Sequence, residues 1–192
     1  MVFYRGEERQ IERITLRLFG RRLRTWEYAG LAGAPDGAQV EFGIYHDQLY
    51  VEMGDPAANR YRVILLVRRA GAEVVIVMEG FHIHERDLQG KGFGLKIFHR
   101  QLANAKALGV DRIETTAGRR NDENGYYTWP RFGFDGPLSQ RIIENLPLGL
   151  EHVRTVLELI ECEKGRLWWK QHGETIDVTF DVADRSRSRK VF

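Results

Sequence analysis

The stretch Gln89-Gly90-Lys91-Gly92-Phe93-Gly94 decides how this chain is read, because of what stands on either side of it. Before it, Phe81-His82-Ile83-His84 reads as a strand. After it, Phe93, Ile97, Phe98, Leu102, Ala105 and Leu108 recur at three- and four-residue steps, the spacing of an amphipathic helix. Gly109 punctuates the end of that helix, and Val110 to Thr116 follows as a short strand. A helix start carries backbone N–H groups without an intrahelical partner. Glycines in front of it let the backbone come close to a ligand. Together these make a receptor for an anion such as a pyrophosphate, to which Lys91 adds a point charge. A tight turn also uses glycine, but it does not need three alternating glycines leading at once into a helix.

Two other readings of the loop fail on its residues. A P-loop needs an earlier Gly-x-x-x-x-Gly and a Ser or Thr after the lysine, and neither is present. Lys91 to Phe98 also approximates an RNA-recognition signature, but that signature needs a strand where the helical spacing continues to Leu108.

Upstream, runs of β-branched and aromatic residues are broken by Gly, Pro, Asp and Asn. Val40 to Tyr45, Leu49 to Met53, Tyr61 to Val67 and Val74 to Met78 therefore read as antiparallel hairpins. Residues 7–32 mix apolar positions with arginines and fit helical and strand spacing equally. Downstream, a helix is expected around Val153 to Glu163 and a strand over Thr175 to Asp181. The division expected is an N-terminal elaboration (1–38), a core (39–136) and a C-terminal helix and strand with a basic tail (137–192).

The order strand, loop, helix, strand resembles the GNAT acetyltransferase superfamily over about Val40 to Asp135. Its motif is Gln or Arg, two residues, Gly, one residue, then Gly or Ala, and Gln89, Gly92 and Gly94 fill it. Asn124-Gly125-Tyr126-Tyr127 and Gly133-Phe134 look like the family's following helix and its terminal Gly-Phe pair. The fold implied is α+β, a mixed, mostly antiparallel central sheet flanked by helices. The activity implied is direct transfer of an acyl group from acetyl-CoA, as co-substrate, to an amine. The resemblance makes Ile83, Gln89, Gly90, Lys91, Gly92, Phe93, Gly94 and Asn124 candidate cofactor contacts.

Glu79, His84 and Glu85 are the nearest titratable groups for a base, each also readable as a solvated residue at a strand end. Where the family often places a tyrosine acid, four residues before Gly-Phe, this chain has Trp129, and Pro130 interrupts the expected helix. Tyr127, with Tyr126 beside it, is the substitute. The rival reading is thus a GNAT-like binding or interaction module that has lost catalysis. His82 and His84 share a strand face, but no third and fourth metal ligand stands at a recognisable spacing. The polar run Arg119 to Asn124 suits a ribose phosphate, an acceptor, or a solvated connection with a helix cap.

Bulk composition sets outer bounds. The 192 residues are 43% hydrophobic and 29% charged, enough for a buried core. A net charge of +2 argues against a dedicated nucleic-acid binder. Arg17, Arg21, Arg22 and Arg24, and the tail Arg185 to Lys190, read as solvated charge runs. Cys162, the single cysteine, excludes an intrachain disulfide and reads as a small core residue. The chain shows no secretion signal and no membrane-length apolar run, so a cytoplasmic location is expected. Acyl-CoA, an amine acceptor and a second copy of the chain are the expected partners.

Overall fold

A computed structural model describes residues 1–55, 58–120 and 123–191. The architecture is α+β, and the chain divides into two compact units, Met1–Ile113 and Glu114 onward.

The first unit contains β1 (Val2–Arg5), α1 (Glu8–Phe19), α2 (Thr25–Leu31), β2 (Gln39–Tyr45), β3 (Gln48–Gly54), β4 (Tyr61–Ala70), β5 (Glu73–Ile83) and α3 (Phe93–Ala107). The sheet is mixed. β1 pairs with β2 in parallel, while β2–β3, β3–β4 and β4–β5 are antiparallel. Residues 1–38 are thus built into the same unit as the hairpins. The stretch that fitted two spacings is mostly helix: α1 turns Ile11, Ile14 and Leu18 inward.

Alternation places Val40, Phe42, Leu49, Val51, Met53, Val63, Leu65 and Val67 on one buried face. The other face carries polar partners: Arg62 Nε donates to Glu52 Oε1 at 2.6 Å, and Arg5 lies 3.5 Å from Glu41. His46 and Asp47 both have positive φ (45° and 61°), the backbone a two-residue hairpin requires. Arg17 holds that turn with one bond to Asp47 Oδ2 and one to its carbonyl, each 2.7 Å. Arg21 pairs with Glu27 and Arg22 with Glu12, so this arginine cluster is largely matched within the unit.

β5 is one strand through a bulge. Leu65 stands opposite Met78 and Ile64 opposite Gly80, which leaves Glu79 unpaired between them. The bulge explains why the sequence reads as two strand segments: even-numbered residues (Val74, Ile76, Met78) share the Leu65 and Val67 face before it, and odd-numbered ones (Phe81, Ile83) share the Val63 and Tyr61 face after it.

The last strand to begin in the first unit, β6 (Arg112–Ala117), starts where the Asp111 backbone N–H donates to the Val74 carbonyl at 2.9 Å. The second unit holds the rest of β6, then α4 (Gly125–Arg131), α5 (Gln140–Glu144), α6 (Val156–Ile160), α7 (Glu163–His172), β7 (Ile176–Asp181) and α8 (Arg187–Val191). Thr116 donates to Asp177 Oδ1 at 2.6 Å, joining β6 to β7.

Three expectations are corrected in this unit. The helix expected over Val153 to Glu163 is α6 alone, and the chain turns before α7. Cys162 is exposed at that turn rather than in the core, its Sγ accepting the Gly165 N–H at 3.3 Å. The basic tail folds: Ser188 is buried, and Arg187 bonds Glu161 Oε1 at 2.6 Å. Among the described residues no helix is long and apolar enough to cross a membrane.

Candidate functional site

The loop between β5 and α3 is built from its strand outward. Past Ile83 the His84 and Glu85 backbone N–H groups both donate to the Arg60 carbonyl, at 2.8 and 3.0 Å. Leu88 N–H then bonds the Glu85 carbonyl and Gln89 N–H the Arg86 carbonyl, winding the chain back. Gln89 locks the turn by donating from Nε2 to the Ile83 carbonyl at 2.7 Å.

Beyond that lock the pattern changes. Gly90 and Gly92 both sit in the left-handed region, φ 69° and 76°, on either side of Lys91. Such alternation turns successive N–H groups toward one side, as in anion-binding nests. Gly92 is the N-cap of α3 and has no side chain with which to cap it. The Phe93, Gly94 and Leu95 N–H groups have no intrahelical acceptor, and no side chain among the described residues caps them. A Cβ on Gly90 or Gly92 would meet nothing within 4 Å, so neither glycine is there to let protein pack closely. Gly94 is different: a Cβ there would lie 3.3 Å from both Ile83 Cδ1 and Phe81 Cε1. It lets the first turn of α3 settle on β5, and Phe93 meets the Tyr61 ring at 5.0 Å.

The electrostatics agree with an anion receptor. The first turn of α3 carries no acidic residue to neutralise the positive end of its dipole. Lys91 reaches only to Asp87, at 3.8 Å, with both side chains mostly exposed, a pairing that solvent makes weak. Two clefts of the first unit, of about 340 and 270 Å³, are lined by other residues. The loop residues Gln89 to Gly92 are exposed.

The candidate bases lie close by in sequence and structure. Glu79 occupies the bulge and is exposed. His84 is exposed just past β5 and Glu85 half-buried. The His82 and His84 rings are parallel, with centroids 6.0 Å apart.

Asn124 and Tyr127 belong to the second unit. Asn124 is the N-cap of α4 but its side chain makes no capping bond. Asn121 and Asp122, from the polar run considered above, lie outside the described residues. Arg119 of that run is committed elsewhere. Its guanidinium bonds the Gly173 and Gln171 carbonyls at the end of α7 and covers the Tyr126 ring at 4.8 Å.

Tyr127 is half-buried, with Arg131 over its ring at 5.2 Å and Lys170 at 5.7 Å. Trp129 is a core residue, 7% exposed, with Phe134 at 5.0 Å and Phe132 edge-on at 5.8 Å. Pro130 does not break α4. Lacking an N–H, it leaves the Tyr126 carbonyl unmet within the helix, and the Trp169 indole N–H fills that place at 2.8 Å. The sequence shows the missing donor but gives no sign of its replacement, which comes from 39 residues beyond Pro130 in the chain.

No protein-family model matches this chain, and no curated protein matches its sequence. Solved structures do resemble it. One is classed as a GNAT-family acetyltransferase from Desulfovibrio desulfuricans, at 10% identity over 71% of this chain and 70% of that one, TM-score 0.43. Another is an Arabidopsis thaliana protein in complex with the bisubstrate analogue CoA-Ac-MVNAL, at 11% identity over 91% and 93%, TM-score 0.40. A third is a GNAT-family acetyltransferase from Elizabethkingia anophelis with acetyl-CoA bound, at 10% identity over 77% and 99%, TM-score 0.39. Likeness at this distance says nothing of substrate or mechanism, which must come from the loop itself.

Proposed function

We propose that this chain is an N-acyltransferase that binds acetyl-CoA, or a related thioester, through the β5–α3 loop and transfers the acyl group to an amine. The observation that carries this is the start of α3, which no side chain among the described residues caps, reached past two left-handed glycines whose side-chain positions are open space. Each bond from such a group to a charged phosphate contributes about 1.5–3 kcal/mol, so two or three anchor a pyrophosphate. Lys91 adds charge without geometric demand. The bound thioester supplies the activated acyl carbon. This chain's residues orient it and move protons: a base among Glu79, His84 and Glu85 takes the amine proton, and Tyr127 gives one to the departing sulfur.

A second reading is a module that binds acyl-CoA without turnover. Trp129 favours it, because the N–H of an indole is far too weak an acid to protonate a thiolate. The two readings separate in one experiment. Thermal shift is recorded with acetyl-CoA, CoA and ATP, and CoA release is followed over a panel of amines. A ligand at a hundredfold its dissociation constant adds about 2.7 kcal/mol of stability. A shift with acetyl-CoA together with amine-dependent CoA release supports the enzyme, and a shift without release supports the module. Absence of a shift with any thioester removes both.

A further inference from the structure

A second ligand-sized feature of the first unit lies away from the β5–α3 loop, and the reading above has no use for it. It is a cleft of about 340 Å³ whose walls come from α2, the segment 33–38, the start of β1 and the outer side of α3. Its origin is the run of small residues Ala29, Gly30, Gly33, Ala34, Gly37 and Ala38. Gly30 and Gly33 are needed for helix approach: a Cβ on Gly33 would collide with the Ile97 carbonyl, and one on Gly30 with the Asn104 side chain. Close approach accounts for those two glycines. It does not account for Trp26, which stands at the rim 60% exposed. An exposed aromatic face at the rim of a cleft offers a flat apolar group a surface on which to stack.

The charged and amide side chains lining the cleft are Arg100, Asn104 and, on the segment 33–38, Asp36. Arg100 and Asn104 stand one turn apart on α3, so both side chains reach the same wall. Arg100 gives one N–H to the Ala34 carbonyl at 3.3 Å, which steadies the guanidinium and leaves the rest of its fork for a ligand. Asn104 donates from Nδ2 to the Arg100 carbonyl at 2.8 Å, leaving Oδ1 as an acceptor beside Gly30. A planar wall, a fork of cationic donors and one amide acceptor are complementary to a ring bearing a carboxylate and a hydroxyl or ring N–H. The volume is at the small end of the roughly 300–1,000 Å³ of ligand pockets, which suits a small ligand.

The geometry points to a binding site for a small planar aromatic carboxylate, stacked on Trp26 with its carboxylate on Arg100. It is distinct from the loop and independent of the acyl-CoA reading. The test uses para-hydroxybenzoate on the isotope-labelled full chain, followed by NMR at the four tryptophan indole N–H signals. Trp26→Phe identifies the Trp26 signal by its loss. Saturable movement of that signal is expected with para-hydroxybenzoate. With the neutral para-hydroxybenzamide, and with Arg100→Gln, binding should be about tenfold weaker, the equivalent of one charge-assisted hydrogen bond. Both side chains are exposed, so the spectra of the variants should otherwise match the parent. The assignment is overturned if the Trp26 signal stays still. It is overturned equally if acetate moves it as well as the aromatic acid does, or if Arg100→Gln and the benzamide bind like the parent pair.

Discussion

The starts of α3 and α6 show two ways for one chain to treat the same chemical problem. Both helices begin with N–H groups that the helix cannot satisfy. At α6, Thr155 Oγ1 accepts the Glu158 N–H at 3.3 Å, while the Glu158 carboxylate takes the N–H of Arg154 at 2.9 Å and of Thr155 at 3.2 Å. That is a closed capping box. At α3 the matching positions are Gly92 and Leu95, which have nothing to offer, and the donors stay open. A third place, α4, goes further than α6: Pro130 removes a helix bond and Trp169 replaces it from a distant helix. Side-chain caps are also missing at the starts of α1 and α4. What sets α3 apart is that two left-handed glycines keep its start clear of side chains.

Perturbations can break or sharpen this contrast. The largest effect is expected at the open start. Gly92→Val sets a branched side chain at φ 76°, costing about 1–2 kcal/mol in stability. It should also weaken acetyl-CoA binding by about a hundredfold or more, the loss of two charge-assisted bonds. Isothermal titration reads this directly, and unchanged affinity would remove the pyrophosphate from the loop.

Next comes Trp169→Phe in the second unit, which leaves the part-buried Tyr126 carbonyl without its indole donor and should lower stability by about 1–3 kcal/mol in urea unfolding. Adding Pro130→Ala restores a helix donor for that carbonyl and should return about 1 kcal/mol of it. If the double variant is no better than the single, the indole bond is not what α4 depends on.

At the closed start Thr155→Ala should cost about 1 kcal/mol and leave acetyl-CoA affinity untouched, separating a structural helix start from a binding one. The smallest effect is in pH. The Arg154 and Thr155 backbone N–H groups, with Arg187, hold the Glu158 carboxyl below its ordinary range. A depressed folded-state value contributes stability above the unfolded value of roughly 4.3. That contribution is lost as pH falls through and below it. Glu158→Gln should therefore flatten the acid limb of the stability profile, and an unaltered limb would show the box to be electrostatically idle.

The open half of this contrast was legible beforehand: three glycines leading into a periodic run mark a helix start without side-chain caps. The closed half was not, because the helix expected around Val153 to Glu163 places Thr155 inside it rather than at its cap. The hairpins followed from alternation and turn residues, and α3 from its spacing. The helix of residues 8–19 was obscured because arginines occupy so much of its solvent face that the apolar positions fit either period. The break between α6 and α7 was hidden because Cys162 looks apolar while acting as a cap. The left-handed backbone of Gly90 and Gly92 follows from local rules and so was readable. The surroundings of Tyr127 were not, since Lys170 and Trp169 approach α4 from a separate helix.

The unpaired Glu79 governs more than its own position. By shifting the strand's phase, it lets Phe81 and Ile83 support Gly94 while His82 and His84 point away from the helix. In a regular ladder, with Glu79 paired opposite Ile64, the two sets would be exchanged, seating imidazoles under the first turn of α3 and turning its apolar footing out to water. The loop that offers the amides is therefore aimed by one irregular residue several places upstream in the strand.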